Sequence, residues 1–169
     1  MQTVQIPRGM YDAMVAHARE GFPYEVCGVI VGPPGEMHEI HRVTNVASDP
    51  LYTYDMEPHE LLRLNQLADG RGWEFVVIYH SHPPFAEVYP SVTDIAKAFY
   101  PDAIYVILAI GRVDASHRER LRDRQQRERL RGELGNPQIM PPRLRAYRIV
   151  KADIFGKVGQ VEELKVEIT

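Results

Sequence analysis

The middle of the chain contains the stretch Phe75-Val76-Val77-Ile78-Tyr79-His80-Ser81-His82. Its first five residues are apolar and rich in β-branched and aromatic side chains, so they predict a buried strand that ends at the histidines. Because side chains alternate between the two faces of a strand, His80 and His82 share a face, with their backbones roughly 6 to 7 Å apart. Two imidazoles at that separation can bind one metal ion.

The residues that follow this strand supply a third group of the kind that a metal needs. Three prolines between residues 83 and 90 favour a loop, and Ser91 begins a second element, residues 92–100, whose apolar positions predict a helix. Asp94 falls in the first turn of that helix. Two histidines and one carboxylate leave a fourth tetrahedral position for water, which is the pattern of hydrolytic zinc sites.

Each part of this pattern also has a purely structural interpretation. Ser91 followed three residues later by Asp94 is a helix-capping signature. Histidines on a strand can be solvated or satisfied by hydrogen bonds. The combination of all three groups in one strand, loop and helix favours a zinc site.

Glu25 is the candidate for a general base, which a zinc hydrolase needs because zinc lowers the pKa of its water only to about 7. It precedes the apolar run 26–32, which predicts a buried strand, so its carboxylate is expected at the edge of the core. A solvent-exposed loop glutamate after Pro23 is the alternative that this segment alone leaves open.

Together these residues resemble a known signature. Glu25 with Cys27-Gly28, followed by His80-x-His82-Pro83-x7-Ser91-x-x-Asp94, is similar at every position to the JAMM (MPN-plus) metalloprotease family. The resemblance extends over about residues 3–112 and resumes near Ala146.

The resemblance implies a role for each residue of the signature. His80, His82 and Asp94 would ligate one zinc ion. Glu25 would be the general acid/base, and the hydroxyl of Ser91 would hydrogen-bond the oxyanion of the tetrahedral intermediate. Tyr54 and Glu57 would shape the substrate groove, whereas Cys27, which has no sign of activation, is expected to be a small buried residue.

Within the family, the chain looks most like a bacterial subgroup that acts on ubiquitin-like sulfur-carrier proteins. The best-known type removes cysteine from the C-terminal Gly-Gly of its carrier, and this is the function that the resemblance implies here. Segment 49–73 has no counterpart of the insertions with which eukaryotic members bind polyubiquitin. An isopeptidase that frees carriers from lysines of other proteins, and a non-catalytic MPN scaffold, remain the alternatives. Family members often pair, so a homodimer is also open.

The bulk properties agree with a single α/β domain over residues 1–169. The formal net charge of −3 argues against a nucleic-acid partner, and one cysteine excludes an internal disulfide. The N-terminal residues do not resemble a signal peptide, and the longest apolar run, 103–110, is too short to cross a membrane, so we expect a cytoplasmic protein.

Strands and helices alternate along the chain, which predicts a layered sandwich, and the family's fold implies a curved mixed β-sheet with flanking helices. The predicted strands are 3–6, 29–32, 38–46, 75–79, 103–110, 145–150 and 161–168, and the predicted helices are 8–20, 58–68 and 92–100.

An arginine-rich insertion at about residues 114–143 departs from this pattern. Between Arg118 and Arg131 it has seven arginines against three acidic residues, with Leu121 and Leu130 as almost the only apolar side chains. A solvated helix, partial disorder and a docking surface for an acidic partner are the three interpretations that this composition allows.

Overall fold

Seven strands form one sheet in the computed structural model, which describes residues 1–84, 86–111, 135–150 and 160–169. The strands are β1 (Thr3–Ile6), β2 (Cys27–Gly32), β3 (Glu39–Val43), β4 (Glu74–His82), β5 (Ile104–Ile110), β6 (Pro142–Val150) and β7 (Gln160–Ile168). The helices are α1 (Arg8–Gly21), α2 (Pro58–Arg71) and α3 (Val92–Ala96).

The strand order is β1-β7-β6-β5-β4-β2-β3. The pairs β1/β7 and β4/β5 are parallel, and the other pairs are antiparallel, so the sheet is mixed. β4 lies inside the sheet, where His80 is in register with Cys27 of β2 and with Ile107 of β5. The strand that carries both histidines is therefore held by backbone hydrogen bonds on both sides.

Helices cover the two faces of the sheet. On one face α1 contributes Met14, Val15 and Ala18 to a core that includes Val77 and Tyr79 of β4. On the other face, Ala68 of α2 and Ala98, just after α3, pack in a core that includes Ile78 of β4 and Ile107 of β5. Side chains two residues apart on a strand share a face, so His80 and His82 lie on the same face of β4 as Ile78, which is the face that α2 and α3 cover. The predicted layered α/β sandwich is confirmed.

Two boundaries near the predicted ligands differ from the sequence prediction. β4 continues through both histidines to His82, because β2 pairs with it as far as His80 and β5 as far as His82. α3 ends at Ala96 instead of residue 100. Pro101 follows residue 100, and the residue before a proline is disfavoured in helical conformation, so the last predicted turn does not form.

The predicted arginine-rich insertion lies mostly outside the described residues, which stop at 111 and resume at 135. β6 begins at Pro142, and its pairing with β5 includes Arg143 opposite Ala109, so the strand starts at the predicted end of the insertion, about residue 143. Within the described ranges, no helix is long and apolar enough to cross a membrane.

Candidate metal centre

Three side chains converge on one point at the end of β4. Nε2 of His80 lies 3.0 Å from Nε2 of His82, and the carboxylate oxygens of Asp94 lie 3.4 Å from the first nitrogen and 3.3 Å from the second. All three are the residues that the sequence predicted as metal ligands, and the structure brings them together as one potential metal-binding group.

These separations suit a zinc ion. Ligand atoms about 2.0 to 2.1 Å from a tetrahedral zinc are about 3.4 Å from one another. Two ring nitrogens and one carboxylate oxygen also form a donor set that zinc accepts, with one position left for water or substrate. The residues present therefore fit a catalytic zinc ion.

The second nitrogens of the two imidazole rings have different environments. Nδ1 of His82 lies 2.7 Å from the carbonyl oxygen of Glu87, so it can donate its hydrogen there and leave the Nε2 lone pair for a metal. Nδ1 of His80 is buried without a hydrogen-bond partner among the described residues. The His80 ring instead stacks on Tyr54, with ring centroids 4.4 Å apart. Burial lowers the pKa of His80, which favours the neutral form that binds metals.

Asp94 is fixed by the helix that carries it. The Ser91 hydroxyl accepts a hydrogen bond from the Asp94 backbone nitrogen at 3.1 Å, and the Ser91 nitrogen donates to the Asp94 carboxylate at 2.7 Å. This capping box shows that the structural interpretation of the pair is correct and is compatible with a ligand role. Burial opposes ionisation of Asp94, but attraction to His80 and hydrogen bonds from His80, His82 and Ser91 hold its pKa well below the usual range.

Glu25 is buried, with only 4% of its surface exposed, so the exposed-loop alternative is wrong. Its backbone nitrogen donates to the carbonyl of Pro50, and its carbonyl accepts from the side chain of Asn45. Burial, followed by the charges of Asp94 and Asp49, raises the pKa of Glu25 to about 9. One of its carboxyl oxygens has no partner in the described part of the chain. A carboxyl that is costly to ionise is therefore held near the ligand group.

Ser81 supports the metal centre, a role that the sequence pattern did not predict. Its side chain accepts a hydrogen bond from the Val26 nitrogen at 2.8 Å, and its own nitrogen donates to the Val26 carbonyl at 2.9 Å. Ser81 lies between the two histidines but points to the opposite face of β4, so it ties the residue after Glu25 to the ligand strand. Only its position between two ligands could have suggested this role.

The contacts of Cys27 and Glu57 stabilise the fold. The Cys27 side chain is fully buried, donates to the Val43 carbonyl, and has its pKa raised by burial to about 12. The prediction of a small buried residue is confirmed. The Glu57 carboxylate accepts from the Glu60 nitrogen at the start of α2, so it caps that helix.

A largely apolar cavity of about 360 Å³ lies beside the ligand group. Tyr54, which stacks on His80, forms part of its wall together with Ile78, one strand repeat before His80. The ion pair of Lys97 and Asp55 also contributes to the wall. Of the two residues predicted to shape a substrate groove, Tyr54 lines this cavity and Glu57 does not.

Comparison with known proteins places these residues in a family. The family described as prokaryotic homologs of the JAB domain (Prok-JAB) matches residues 7–127. The desampylase of Haloferax volcanii is 37% identical over an alignment of 102 residues that covers 57% of this chain and 73% of that protein. The CysO-cysteine peptidase of Mycobacterium tuberculosis is 41% identical over an alignment of 102 residues that covers 59% of this chain and 68% of that protein.

A third relative and two solved structures extend the comparison. A probable TtuB-protein conjugate cleaving protease of Thermus thermophilus is 32% identical over 93 residues, 55% of this chain and 62% of that protein. A solution structure from Desulfitobacterium hafniense superposes with a TM-score of 0.63 at 22% identity, covering 100% of this chain and 93% of that one. One from Salinibacter ruber has a TM-score of 0.54 at 20% identity, covering 99% and 92%. These two structures share the fold.

The match to the family covers most of the chain and includes every residue of the signature, from Glu25 to Asp94. Two of the relatives are named as a desampylase and a peptidase, and in this chain the three predicted ligand residues converge on one point. The chain therefore belongs to the Prok-JAB family, the prokaryotic homologs of the JAB domain, and is a metallopeptidase of the JAMM type.

Proposed function

We propose that this chain is a zinc peptidase that hydrolyses the bond after the C-terminal Gly-Gly of a small ubiquitin-like sulfur-carrier protein and releases cysteine. The observation that carries the proposal is the pairing of the His80, His82 and Asp94 ligand group with a buried neutral carboxyl, Glu25. The relative named CysO-cysteine peptidase supports cysteine as the leaving group.

His80, His82 and Asp94 would hold the zinc ion. When bound, zinc supplies Lewis-acid polarisation of the scissile carbonyl and makes the attacking water more acidic. The neutral imidazole of His80 and the ionised carboxylate of Asp94 are already in the protonation states that a metal requires.

Glu25 would move the proton. The pKa of Glu25 is high because of burial and the negative charge of Asp94. With a divalent cation bound by the three ligands, the pKa of Glu25 would fall and its carboxylate form would be favoured. As a carboxylate, Glu25 accepts the proton of the attacking water and then donates it to the leaving amine.

Ser91 would stabilise the charge that develops on the scissile carbonyl oxygen. Its hydroxyl oxygen accepts a hydrogen bond from the Asp94 nitrogen, so the hydroxyl hydrogen remains available as a donor. The same contact fixes the hydroxyl beside the ligand group, which is what preorganised stabilisation requires.

A substrate that ends in two glycines suits this site, because a chain without side chains can pass through a narrow channel to the metal. A second candidate keeps the same chemistry and changes the leaving amine to a lysine of another protein. The relative named as a TtuB-protein conjugate cleaving protease favours that alternative. The non-catalytic scaffold has less support, because each ligand is present and converges.

Intact mass spectrometry tests the proposal. A Gly-Gly-ending carrier with a C-terminal cysteine is incubated with zinc-loaded protein, and the same carrier linked to a lysine peptide is the second substrate. We expect loss of one cysteine mass, abolished by chelator and by Glu25→Gln. Glu20→Gln, the same change at an exposed carboxylate that pairs with Arg42, is the matched control and should cleave normally.

Each outcome selects one reading. Cleavage of the lysine-linked carrier alone would replace cysteine release with the isopeptidase function. No cleavage of either substrate by protein with stoichiometric zinc would refute both proposed substrates. We also propose a cytoplasmic location, which fractionation of cells tests, and a homodimer, which light scattering of the purified protein tests.

A further inference from the structure

Residues 83–90 connect the strand that carries two ligands to the helix that carries the third. The ring of His82 depends on this loop, because its Nδ1 lies 2.7 Å from the carbonyl oxygen of Glu87. A hydrogen bond to one ring nitrogen fixes the tautomer and the orientation of the other. Whatever holds Glu87 in place therefore also holds the Nε2 atom of His82 toward the metal position.

Arg143 of β6 holds the first half of the loop. One guanidinium nitrogen, Nη2, donates to the carbonyls of Pro84 at 3.0 Å and Ala86 at 3.1 Å. Its Nε donates to the carbonyl of Gly111, just after β5, at 2.6 Å. Hydrogen bonds from a charged donor are stronger than neutral ones, and the planar fork fixes their directions. The loop is thereby tied to the strands beside it, one residue before Glu87.

Tyr147, four residues further along β6, holds the second half. Its hydroxyl donates to the carbonyl of Val88, one residue after Glu87, and its ring packs edge-on against Tyr89 with centroids 5.5 Å apart. Tyr147 is fully buried, so its position is set by the core. The two side chains of β6 thus bind the backbone on both sides of Glu87.

Neither side chain belongs to the ligand group. His82 is in register with Ala109 of β5, and Ala109 with Arg143 of β6, so the backbones of His82 and Arg143 are two strand spacings apart, about 10 Å. Within the described residues, the hydrogen bonds that link Arg143 to His82 run through the loop backbone.

We propose that Arg143 and Tyr147 are positioning residues of the metal centre, which hold the Glu87 carbonyl where it orients His82. The inference rests on the proposed metal binding of this site. It assigns a role to β6, which lies beyond the residues 7–127 that the family comparison matches. Outer partners of metal-ligating histidines typically change metal affinity by 10- to 100-fold when removed.

The test measures zinc affinity by competition with a chromophoric chelator, for wild type, Arg143→Ala, Tyr147→Phe and Arg148→Ala. Arg148 is the control, because it lies on the same strand and its guanidinium donates to the side chain of Gln2. We expect Arg143→Ala to weaken zinc binding by about 10- to 100-fold, and Tyr147→Phe to weaken it less, because the ring remains. Arg148→Ala should stay within about twofold of wild type. Arg143→Lys should recover part of the loss, since one ammonium replaces a fork.

A second measurement distinguishes positioning from general destabilisation. In the folded metal-free proteins, NMR detects the Nδ1 proton of His82 and its exchange with solvent. Positioning predicts faster exchange or loss of this signal in Arg143→Ala and Tyr147→Phe at temperatures where both are fully folded. Tyr147→Phe is conservative enough to keep the test valid if Arg143→Ala does not fold.

The outcomes separate this inference from the proposed function. Wild-type zinc affinity together with an unchanged Nδ1 proton in both variants would overturn the positioning role while leaving the zinc proposal intact. Wild-type protein that binds no zinc would instead overturn the proposed function, and the Nδ1 exchange would still decide whether Arg143 and Tyr147 orient His82.

Discussion

Glu25→Gln should make the metal-free protein more stable at neutral and alkaline pH. The substituted side chain has nearly the shape of a protonated glutamate but cannot ionise. The folded protein holds Glu25 neutral, with its pKa raised from 4.5 to about 9 by burial and by the charges of Asp94 and Asp49. Glu25 ionises easily in the unfolded chain but not in the folded chain, and the substitution removes this difference.

The sign and the size follow from this difference in pKa. Between pH 4.5 and pH 9 the unfolded chain has lost the Glu25 proton and the folded chain has kept it, so the free energy of unfolding falls as pH rises. The slope is about 1.4 kcal/mol per pH unit for one proton. From pH 5 to pH 8 the contribution of Glu25 to stability thus decreases by on the order of 4 kcal/mol.

Urea unfolding of chelator-treated protein at pH 5 and pH 8 measures this effect. The stability of Glu25→Gln minus that of wild type should increase by on the order of 4 kcal/mol between the two pH values. The difference cancels the titration of all other groups. Glu20→Gln is the control: burial is absent there, the hydrogen bond from Arg42 lowers the pKa, and the carboxylate is ionised in both states over this range.

A difference between Glu25→Gln and wild type that does not change with pH would refute the reasoning. It would mean that Glu25 is ionised in the metal-free fold, and that its burial is compensated by a contact other than those seen. Addition of zinc provides a further check, because a cation beside Glu25 should lower its pKa and reduce the pH dependence of the wild type.

Three other substitutions have definite expected results. His82→Ala should remove a ligand, so the purified protein should contain almost no zinc by elemental analysis, and its melting temperature should no longer rise when zinc is added. Ser91→Ala should lower the free energy of unfolding by about 1 kcal/mol, because the helix cap is lost. It should also reduce kcat by about 10²- to 10³-fold, because the oxyanion donor is lost. An unchanged kcat in steady-state kinetics with stoichiometric zinc would contradict the oxyanion role. Gly28→Ala would place a Cβ 2.4 Å from the ring of Tyr79, which is fully buried. We therefore expect the free energy of unfolding in urea to fall by about 1 to 3 kcal/mol. A wild-type urea midpoint would show that the ring can move.

The ligand residues were predictable because their spacing follows two local patterns, the alternation of a strand and the capping pattern of a helix. Alternation along a strand places His80 and His82 on one face, and the capping pattern places Asp94 in the first turn of a helix. These are local rules, so the sequence contains the needed information. The same local rules predicted the apolar strands and α1, whose buried face is Met14, Val15 and Ala18.

The environment of Glu25 was not predictable from its own segment. The nearby sequence is compatible with an exposed loop after Pro23, and its burial depends on contacts from distant residues. Asn45 and Pro50 fix its backbone, and Ser81 ties the following residue to β4. Such contacts join residues 20 to 55 positions apart, and no periodicity in the sequence predicts them.

The sequence by itself determined the composition of the site: two histidines, a carboxylate, a serine and a candidate base, on elements whose types local patterns predict. Only the tertiary structure decided the electrostatics and the orientation of these groups. Burial beside Asp94 raises the pKa of Glu25, and the loop held by Arg143 orients His82. The physical reason is that desolvation and hydrogen-bond geometry depend on which distant strands pack together, whereas secondary structure depends largely on neighbours along the chain.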